Sequence, residues 1–547
     1  MRGRSALPAA GRRRSAFGRR LLADLGGAAA TVVLMVALGA LSSRPAAQEQ
    51  EGAGSSLERA DFLLRGGQVE RAAEMFARLA EANPEDARSR AGRVRCLLAL
   101  DRWREALAEA TRFSAQLPLS PVVATVLGEA SLRAGRFEEV DAVLSPVVAA
   151  LGLPDRGGVP EATMARALLA LGRLRAAEGR GAVAYEYVNR AAALAPDDPW
   201  VVYESAGAAP DRAAIVARLE RYLALSAGDD PDRIEAARGK IRFYEALGES
   251  EVWVVEARPE RIEVPLGAIG DGFGGVLGYT VDVALGPKRP VTLMLDSGST
   301  GLFVLERIAR KHGFEPLAVE TVFGGGGDRR HESPRGLFPD FALGGLRFSG
   351  ALATTTAHEI DPTGRFHGLL GLSIFDGYRI TLDLDERRLI LDRTVSEQTA
   401  GGSYWDVSGQ LLVRASTSAG DGGLFLLDTG ATRTSVSLDL AQHSPGVTLG
   451  RPVRIEGYGG TLAGARVAHG LGVEFEGGAT PGTTVNATDL AVPSRLGGVE
   501  ISGQVGLDLL AGRRIDIDTR SRRVSVAEVE RRQPQGGAGG RSKNRTR

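Results

Sequence analysis

The feature that most constrains this chain of 547 residues is a short motif that occurs twice. An apolar stretch runs into Asp-Ser-Gly at Asp296, and another runs into Asp-Thr-Gly at Asp428. One Asp-x-Gly string would predict only a turn, because Asp and Gly are common turn residues. Two copies in the same apolar setting predict two half-sites that face each other. Two carboxyls held close together share a proton, so one acts as a base while the other acts as an acid.

The sequence around the motif is repeated as well, at a separation of 132 residues (from 296 to 428). Each Asp is followed first by a Gly-rich string and later by an apolar string that contains glycine. These strings lie at 323–328 and 456–461, and at 367–376 and 502–511. Each later string precedes two alternating segments with a polar turn between them, which is typical of a β-hairpin. The repeated unit therefore spans roughly a hundred residues or more and occurs twice.

These strings resemble those of the retropepsin-like aspartyl proteases, here as two tandem lobes in one chain. Lobe one carries Leu295-Asp296-Ser297-Gly298-Ser299 and Leu369-Leu370-Gly371, and lobe two carries Leu427-Asp428-Thr429-Gly430-Ala431 and Gln504-Val505-Gly506. The resemblance implies two all-β lobes of the pepsin and retropepsin type, at 260–395 and at 405–530. An apolar residue is expected where Gln504 stands, so the packing behind Asp428 is an open question.

The resemblance also implies a role for each motif residue. Asp296 and Asp428 are the expected catalytic pair. The expected supporting residues are Ser297, Gly298, Ser299, Thr429 and Gly430. The glycines allow two backbones to approach closely, and the hydroxyls of Ser297 and Thr429 bond across the lobe interface.

The residue after each glycine differs between the two copies. Ser299 can donate a hydrogen bond to Asp296, whereas Ala431 has no hydroxyl for Asp428. Because hydrogen bonds to the charged form favour ionisation, we expect Asp296 to be the more often ionised partner.

The two Gly-rich strings are predicted to be flaps that close over an extended peptide. The predicted flap and substrate-binding residues are Gly324, Gly325, Gly457, Tyr458 and Gly459. Main-chain groups of such hairpins pair with an extended substrate. The Tyr458 side chain has two open interpretations, a hydroxyl near the cleft or packing within the flap.

Residues 56–250 are predicted to be helical and repetitive. Ala72, Ala106 and Val140 are spaced by 34 residues. This period resembles that of tetratricopeptide repeats, an all-α solenoid in which each helix pair buries its apolar face against the next. The arm either recruits a substrate or partner protein or is purely architectural. We expect it to be independent, so that a fragment starting near Glu256 folds and cleaves short peptides.

The two ends of the chain have compositions of their own. Residues 1–20 contain seven arginines and no acidic residue, and an uncharged, mostly apolar run follows. Residues 1–47 are therefore predicted to be a signal peptide or membrane anchor. We expect the protein to be exported, either periplasmic or membrane-anchored facing the periplasmic or extracellular side. Residues 531–547 are Gly-rich and basic, and we expect a disordered tail.

Charge and cysteine content exclude several other classes. Lys plus Arg and Asp plus Glu both number 67, so no net charge draws the chain to nucleic acid. The single cysteine, Cys96, excludes an internal disulfide and a cysteine-based metal cluster. No His-Glu-x-x-His string and no phosphate-binding loop of the Gly-x4-Gly-Lys-Ser/Thr type is present. We expect no metal and no organic cofactor.

Together these patterns predict an exported aspartic endopeptidase whose Asp296 and Asp428 activate a water molecule. Its partners would be peptide or protein substrates, and the helical repeats offer a surface for a further protein. The alternative is a non-catalytic peptide-binding or scaffold protein that keeps a degenerate aspartyl-protease fold.

Overall fold

The computed structural model describes residues 56–528, except 119, 153–157, 227–230, 274, 324–329, 359–360, 362–363, 399, 458–459 and 463. The predictions for residues 1–47 and 531–547 therefore lie outside the described residues. Over the described part of the chain, no helix is both long and apolar enough to cross a membrane. The described chain is an all-α arm followed by two β-lobes, as the sequence predicted.

The arm is built from antiparallel helix pairs. Its helices are α1 (Ser56–Arg65), α2 (Val69–Ala82), α3 (Ala87–Ala99), α4 (Trp103–Gln116), α5 (Pro121–Arg133), α6 (Phe137–Ala149), α7 (Glu161–Ala177), α8 (Gly181–Leu194), α9 (Pro199–Ser205), α10 (Arg212–Leu225) and α11 (Pro231–Leu247). A Cβ at Gly128 of α5 would lie 2.4 Å from Leu144 of α6, and a Cβ at Gly172 of α7 would lie 2.6 Å from Val188 of α8. The glycines therefore let paired helices pack in close contact.

Lobe one is a sheet that closes on itself. Its elements are β1 (Val254–Ala257), β2 (Arg261–Pro265), β3 (Gly267–Gly270), β4 (Val276–Leu285), β5 (Val291–Leu295), β6 (Leu302–Leu305), α12 (Glu306–Ala309), β7 (Glu315–Phe323), β8 (Arg330–Leu343), β9 (Leu346–Thr356), β10 (Gly368–Leu370), β11 (Arg379–Asp383) and β12 (Arg388–Asp392). The strand order is β1-β9-β6-β10-β5-β4-β8-β7, and the additional pairing of β8 with β9 closes the sheet. Strand β1 lies before residue 260, where the sequence analysis began this lobe.

Lobe two repeats the same arrangement. Its elements are β13 (Gly402–Val407), β14 (Gln410–Thr417), β15 (Gly422–Leu427), β16 (Ser435–Ser437), α13 (Leu438–His443), β17 (Thr448–Pro452), β18 (Glu456–Gly457), β19 (Gly460–Thr461), β20 (Arg466–His469), β21 (Val473–Phe475), β22 (Gly478–Ala479), β23 (Thr484–Thr488), α14 (Ala491–Gly497), β24 (Gly503–Val505), α15 (Leu507–Leu510), β25 (Arg513–Asp518) and β26 (Arg523–Glu528). The run β15-β24-β16-β23 is parallel, antiparallel and parallel. The run β5-β10-β6-β9 of lobe one has the same pattern.

A continuous antiparallel sheet joins the two lobes, in the order β2-β12-β11-β25-β26-β13. At its centre β11 of lobe one pairs with β25 of lobe two, with Ile380 opposite Ile517 and Leu382 opposite Ile515. All four side chains are buried in a core that both lobes share. The lobes therefore form one body, and the strands that end at the two Asp-x-Gly motifs are fixed relative to each other.

The arm is not independent of the lobes. One apolar core joins α9, α10 and α11 to both lobes. A second core joins the five helices from α5 through α9 to lobe two. In the second core, the ring of Phe137 packs on that of Trp405 with centroids 5.1 Å apart. The expectation of a separate solenoid is therefore wrong, because a fragment starting near Glu256 would expose the apolar side of lobe two and would lose part of β1.

Candidate active site

Each candidate catalytic aspartate follows the last residue of a buried strand. Asp296 follows β5, and its main-chain N–H donates to the Leu370 carbonyl at 3.0 Å. Asp428 follows β15, and its N–H donates to the Val505 carbonyl at the same distance, 3.0 Å. Gln504 lies half-buried in β24, opposite Leu426, and leaves this support unchanged.

Two buried hydroxyls lock the two motif loops together. The Ser297 N–H donates to Thr429 Oγ1 at 3.0 Å, and the Thr429 N–H donates to Ser297 Oγ at 2.9 Å. Each hydroxyl then donates in turn, Ser297 Oγ to the Leu427 carbonyl at 2.7 Å and Thr429 Oγ1 to the Leu295 carbonyl at 2.9 Å. Four reciprocal hydrogen bonds therefore cross the lobe interface directly beneath the two aspartates.

The motif glycines lie against the carboxyl of the opposite lobe. A Cβ at Gly298 would be 2.7 Å from Asp428 Cγ, and a Cβ at Gly430 would be 2.6 Å from Asp296 Cγ. Both distances are far inside van der Waals contact, so only glycine fits at either position. The structure thus brings Asp296 and Asp428 together as one pair, within reach of a hydrogen bond between their side chains.

Burial between the two lobes raises the pKa of both carboxyls. Desolvation by the surrounding lobes, and then the nearby Asp428 carboxyl, raise the pKa of Asp296 well above its ordinary value. Desolvation also raises the pKa of Asp428, but N–H donors from Gly430 and Ala431 oppose that rise. These N–H groups donate to Asp428 Oδ1 at 2.9 and 3.0 Å. Main-chain N–H groups of Gly298 and Ser299 act on Asp296 in the same way, so the raised pKa values belong to the pair, which holds one proton between its two carboxyls.

The donors to the two carboxyls differ from those expected from the sequence. The Gly298 N–H donates to Asp296 Oδ1 at 2.9 Å, and Ser299 acts on Asp296 through its main-chain N–H rather than its hydroxyl. Ala431 has no hydroxyl, yet its N–H reaches the Asp428 carboxyl. The side chain after the glycine therefore does not decide which carboxyl is charged.

Further residues that the sequence analysis did not single out hold the motif loops from outside. Ser373 Oγ accepts from the Gly301 N–H at 3.3 Å in lobe one. In lobe two Asp508 Oδ1 accepts from both the N–H and the hydroxyl of Thr434, at 2.7 and 2.6 Å. Gln410 Nε2 crosses the interface and donates to the Gly298 carbonyl at 3.1 Å. Ser373 and Asp508 stand at the same position after Gly371 and Gly506, which is the signal that could have identified them.

The predicted flap residues fall mostly on undescribed positions. Strands β7 and β8 pair along their length up to Phe323 and Arg330. The tip between them, which includes Gly324 and Gly325, lies outside the described residues, as do Tyr458 and Gly459. Gly457 is described, in β18, where it pairs with Gly460. Their contact with a substrate stays a prediction.

The described part of the chain contains no group of three or more His, Cys, Asp or Glu side chains arranged to hold a metal ion. What the site does contain is a carboxyl pair that holds one proton between two groups. Such a pair can act as acid and base on the same reacting molecule.

Comparisons with known protein families match two parts of the chain. A family model described as tetratricopeptide repeat matches residues 63–129, and one described as aspartyl protease matches residues 251–374. A comparison with curated proteins found no match.

Two solved structures are similar to parts of the chain. One is a retropepsin-like aspartic protease from Rickettsia conorii, with 18% identity and a TM-score of 0.18 over 26% of this chain and 95% of that one. The other is a thermophilic TPR protein from Thermus thermophilus, with 22% identity and a TM-score of 0.26 over 34% of this chain and 97% of that one. On the two family matches, this chain carries a tetratricopeptide-repeat segment in its N-terminal region and an aspartyl protease domain in its C-terminal region.

Proposed function

We propose that this protein is an aspartic endopeptidase in which Asp296 and Asp428 activate one water molecule between them. The observation that carries the proposal is the contact of Gly298 with the Asp428 carboxyl and of Gly430 with the Asp296 carboxyl. The Ser297 and Thr429 hydroxyls bond these two loops, which come from different lobes, to each other across the interface. A turn with a purely structural role requires neither feature.

In the proposed reaction, the ionised Asp428 takes a proton from the water, whose oxygen attacks the carbonyl carbon of the peptide bond. Asp296 donates its proton to the carbonyl oxygen, which gives a tetrahedral diol. When the carbon–nitrogen bond breaks, Asp428 passes its proton to the leaving nitrogen. One diol hydroxyl returns a proton to Asp296 as the new carboxylic acid forms, so the pair ends in its starting state.

The protonation of the pair sets the pH range of this reaction. The raised pKa of Asp296 keeps its proton at pH values where an ordinary aspartate is already ionised. Activity requires one proton on the pair, so it declines at low pH when both carboxyls are protonated and at higher pH when both are charged. The two limbs belong to the pair and not to either residue alone.

The non-catalytic alternative was suggested by Ala431 and Gln504, which make lobe two look like the weaker copy. Neither residue removes a contact from Asp428, because the Ala431 N–H and the Val505 carbonyl hold it regardless of the side chains at 431 and 504. A protein that only binds peptides would not need the second carboxyl. The peptidase is therefore the better supported function.

We also propose that the protein is exported and that its arm recruits a substrate or partner protein. The seven arginines of residues 1–20 and the apolar run after them support export. Repeats of the tetratricopeptide kind usually present a surface to another protein, which supports recruitment. Cell fractionation and N-terminal sequencing test the first point, because a protein that begins at Met1 in the cytoplasm would contradict export.

The test of catalysis is a cleavage experiment with a mixed peptide library and mass-spectrometric identification of new termini. The wild-type chain should generate new termini, and Asp296→Asn and Asp428→Asn should generate none. Asp282→Asn is the matched control, because this residue of β4 is exposed and its carboxylate accepts from the Thr292 hydroxyl at 2.6 Å. A wild-type protein that binds library peptides without cleaving any would establish the alternative instead.

A further inference from the structure

The turn between α5 and α6 of the arm packs directly on lobe two. Gly135 in this turn has a φ of +71°, and a Cβ there would lie 2.7 Å from the side chain of Leu424 and 3.6 Å from that of Val499. At the start of α6, Phe137 packs on Trp405. Leu424 belongs to β15, the strand that ends one residue before Asp428, so the arm touches the support of one proposed catalytic residue.

A buried ion pair lies beside this apolar contact. Arg133, the last residue of α5, bonds Glu500 with a guanidinium-to-carboxylate distance of 3.0 Å, and the two side chains are only 10% and 8% exposed. The Glu500 N–H also donates to the Arg133 carbonyl at 2.7 Å. A second nitrogen of Arg133 bonds Asp101 at 2.7 Å. A buried charge that loses its partner is strongly unfavourable, so this contact fixes the position of residue 500.

A short path leads from this contact to Asp428. The Ser502 N–H donates to the Leu424 carbonyl at 2.7 Å, which ties the segment after Glu500 to β15. That segment continues into β24, whose Val505 pairs with Leu427 and whose carbonyl holds the Asp428 N–H at 3.0 Å. Residue 500 is therefore joined to Asp428 through two paired strands.

The arm meets lobe one at a different place. Helix α11 packs on β7, and the guanidinium of Arg335 in β8 lies over the Phe243 ring at 4.8 Å from its centroid. Strands β7 and β8 form the predicted flap hairpin, whereas Asp296 follows β5. The contact through Arg133 and Phe137 thus serves the Asp428 half of the pair.

We propose that Arg133 and Phe137 are positioning residues for Asp428, which they hold by bracing the paired strands β15 and β24. This inference rests on the proposed peptidase function for its kinetic consequence only. We call the contacts of Arg133 with Glu500 and of Phe137 with Trp405 the brace. When the brace is lost, the segment before β24 can move, so the Val505 carbonyl and the Asp428 loop that it holds lose their fixed position. The chemical step then slows, whereas binding of a short peptide by the cleft changes little.

The experiment compares Glu500→Gln and Phe137→Leu with the wild-type full chain. Glu500→Gln removes the charge that Arg133 pairs with, and Phe137→Leu reduces the ring contact while keeping an apolar side chain. The matched control is Glu138→Gln on the same helix. Glu138 bonds Arg414 of lobe two at 2.7 Å, but the pair is on the surface, with side chains 72% and 45% exposed.

Hydrogen exchange is measured on peptides that cover 424–430 and 503–506, with the corresponding loop 295–301 of lobe one as internal reference. We expect each test variant to exchange faster in the two segments of lobe two, with no change at 295–301, because local opening becomes easier where the brace is lost. On a short peptide, kcat should fall by about tenfold with KM within about twofold, since small misplacements of catalytic groups are costly. The control should match the wild type in both measurements.

The two measurements separate the two proposals. If the wild type cleaves no peptide, the proposed function fails, but the exchange data still decide whether the brace exists. Unchanged exchange at 424–430 in both test variants would overturn the brace, whatever their activity. A fall in kcat with equally faster exchange in both lobes would also overturn it, because that result indicates a general loss of stability.

Discussion

The two lobes build the same Asp-x-Gly loop and support it in different ways. Lobe two sends the tight turn between β13 and β14 onto lobe one, where Gly409 lies against Thr300 and Gln410 bonds the Gly298 carbonyl. The matching hairpin of lobe one, between β3 and β4, is closed by its own Asp271, which accepts from the Phe273 N–H at 2.7 Å. The Phe273 side chain at its tip is 97% exposed.

The difference shows which parts of the duplicated unit must stay alike. The residues that touch the carboxyls or cross between the motif loops are matched in both lobes, whereas the hairpins, outer supports and arm contacts are not. In a symmetric dimer every substitution would change both halves at once. A tandem chain has no such restriction, so one half can acquire a brace or a longer hairpin alone.

The largest expected effect tests whether both carboxyls are required for activity. Asp296→Asn and Asp428→Asn should each reduce kcat by about 10² to 10⁴, because each removes one acid–base group. Steady-state kinetics on one peptide substrate measures both variants side by side. Full activity in either variant would show that the lobes do not form one catalytic pair.

The next effect tests the contact of each glycine with the opposite lobe. Gly298→Ala and Gly430→Ala should lower kcat by about 10² each, since the added methyl group would displace a carboxyl that lies within 2.7 Å. Gly181→Ala is the control, because a Cβ there meets nothing within 4 Å. Equal losses at 298 and 430 would support a symmetric core, and a harmless change at either would contradict it.

The cross-lobe hydroxyls should matter for stability as well as activity. Ser297→Ala and Thr429→Val each leave a buried N–H without its acceptor, so each should lower the free energy of unfolding by about 1 to 3 kcal/mol. Thr429→Ser keeps the hydroxyl and should cost less. Denaturant unfolding of the two single variants and the double variant gives the coupling energy, and simple additivity would show that the two hydroxyls do not act together.

The raised pKa of Asp296 predicts a stability difference that depends on pH. Below the unfolded-state pKa, about 3.9, the carboxyl is protonated in both states and contributes nothing. As pH rises, the unfolded chain releases the proton and the folded chain keeps it, so the folded wild type loses stability. Asp296→Asn avoids this loss. Its melting temperature relative to the wild type should rise between pH 4 and pH 7, and a constant difference over that range would contradict the assignment.

The smallest expected effect concerns the hydrogen bond from Gln410 of lobe two to the Gly298 carbonyl of lobe one. Gln410→Leu removes one partly buried hydrogen bond to the Gly298 carbonyl, so it should lower the free energy of unfolding by about 0.5 to 1.5 kcal/mol. The corresponding position in lobe one is Gly278, which has no side chain to make such a bond. Thermal unfolding of Gln410→Leu measures the loss. A change larger than that of Thr429→Val would mean that the hairpin contributes more to the contact between the lobes than the Thr429 hydroxyl does.

The sequence could predict the two lobes, the two aspartates and the motif residues that follow each aspartate. Each of these features occurs twice, 132 residues apart. It could not predict the roles of Trp405, Leu424 and Glu500, since their contacts with the arm arise only from tertiary packing. The group that donates to Asp296 was predicted wrongly for a related reason. A side-chain hydroxyl was the expected donor, whereas the donors to both carboxyls are main-chain N–H groups, which any residue except proline provides.

The sheet that joins the lobes also bears on the order of events during synthesis. Strand β11 finds its partner β25 only when residues 513–518, close to the end of the described chain, have been made. Pairing between such distant segments is slow, because a long loop must close first. Asp296 is translated well before Asp428, and the shared sheet that fixes them follows both. A chain that stops before Asp428 therefore holds one carboxyl of the pair, and a chain that stops between Asp428 and residue 513 holds both without the sheet that fixes them. We expect the pair to be in place only after residue 518 has been made.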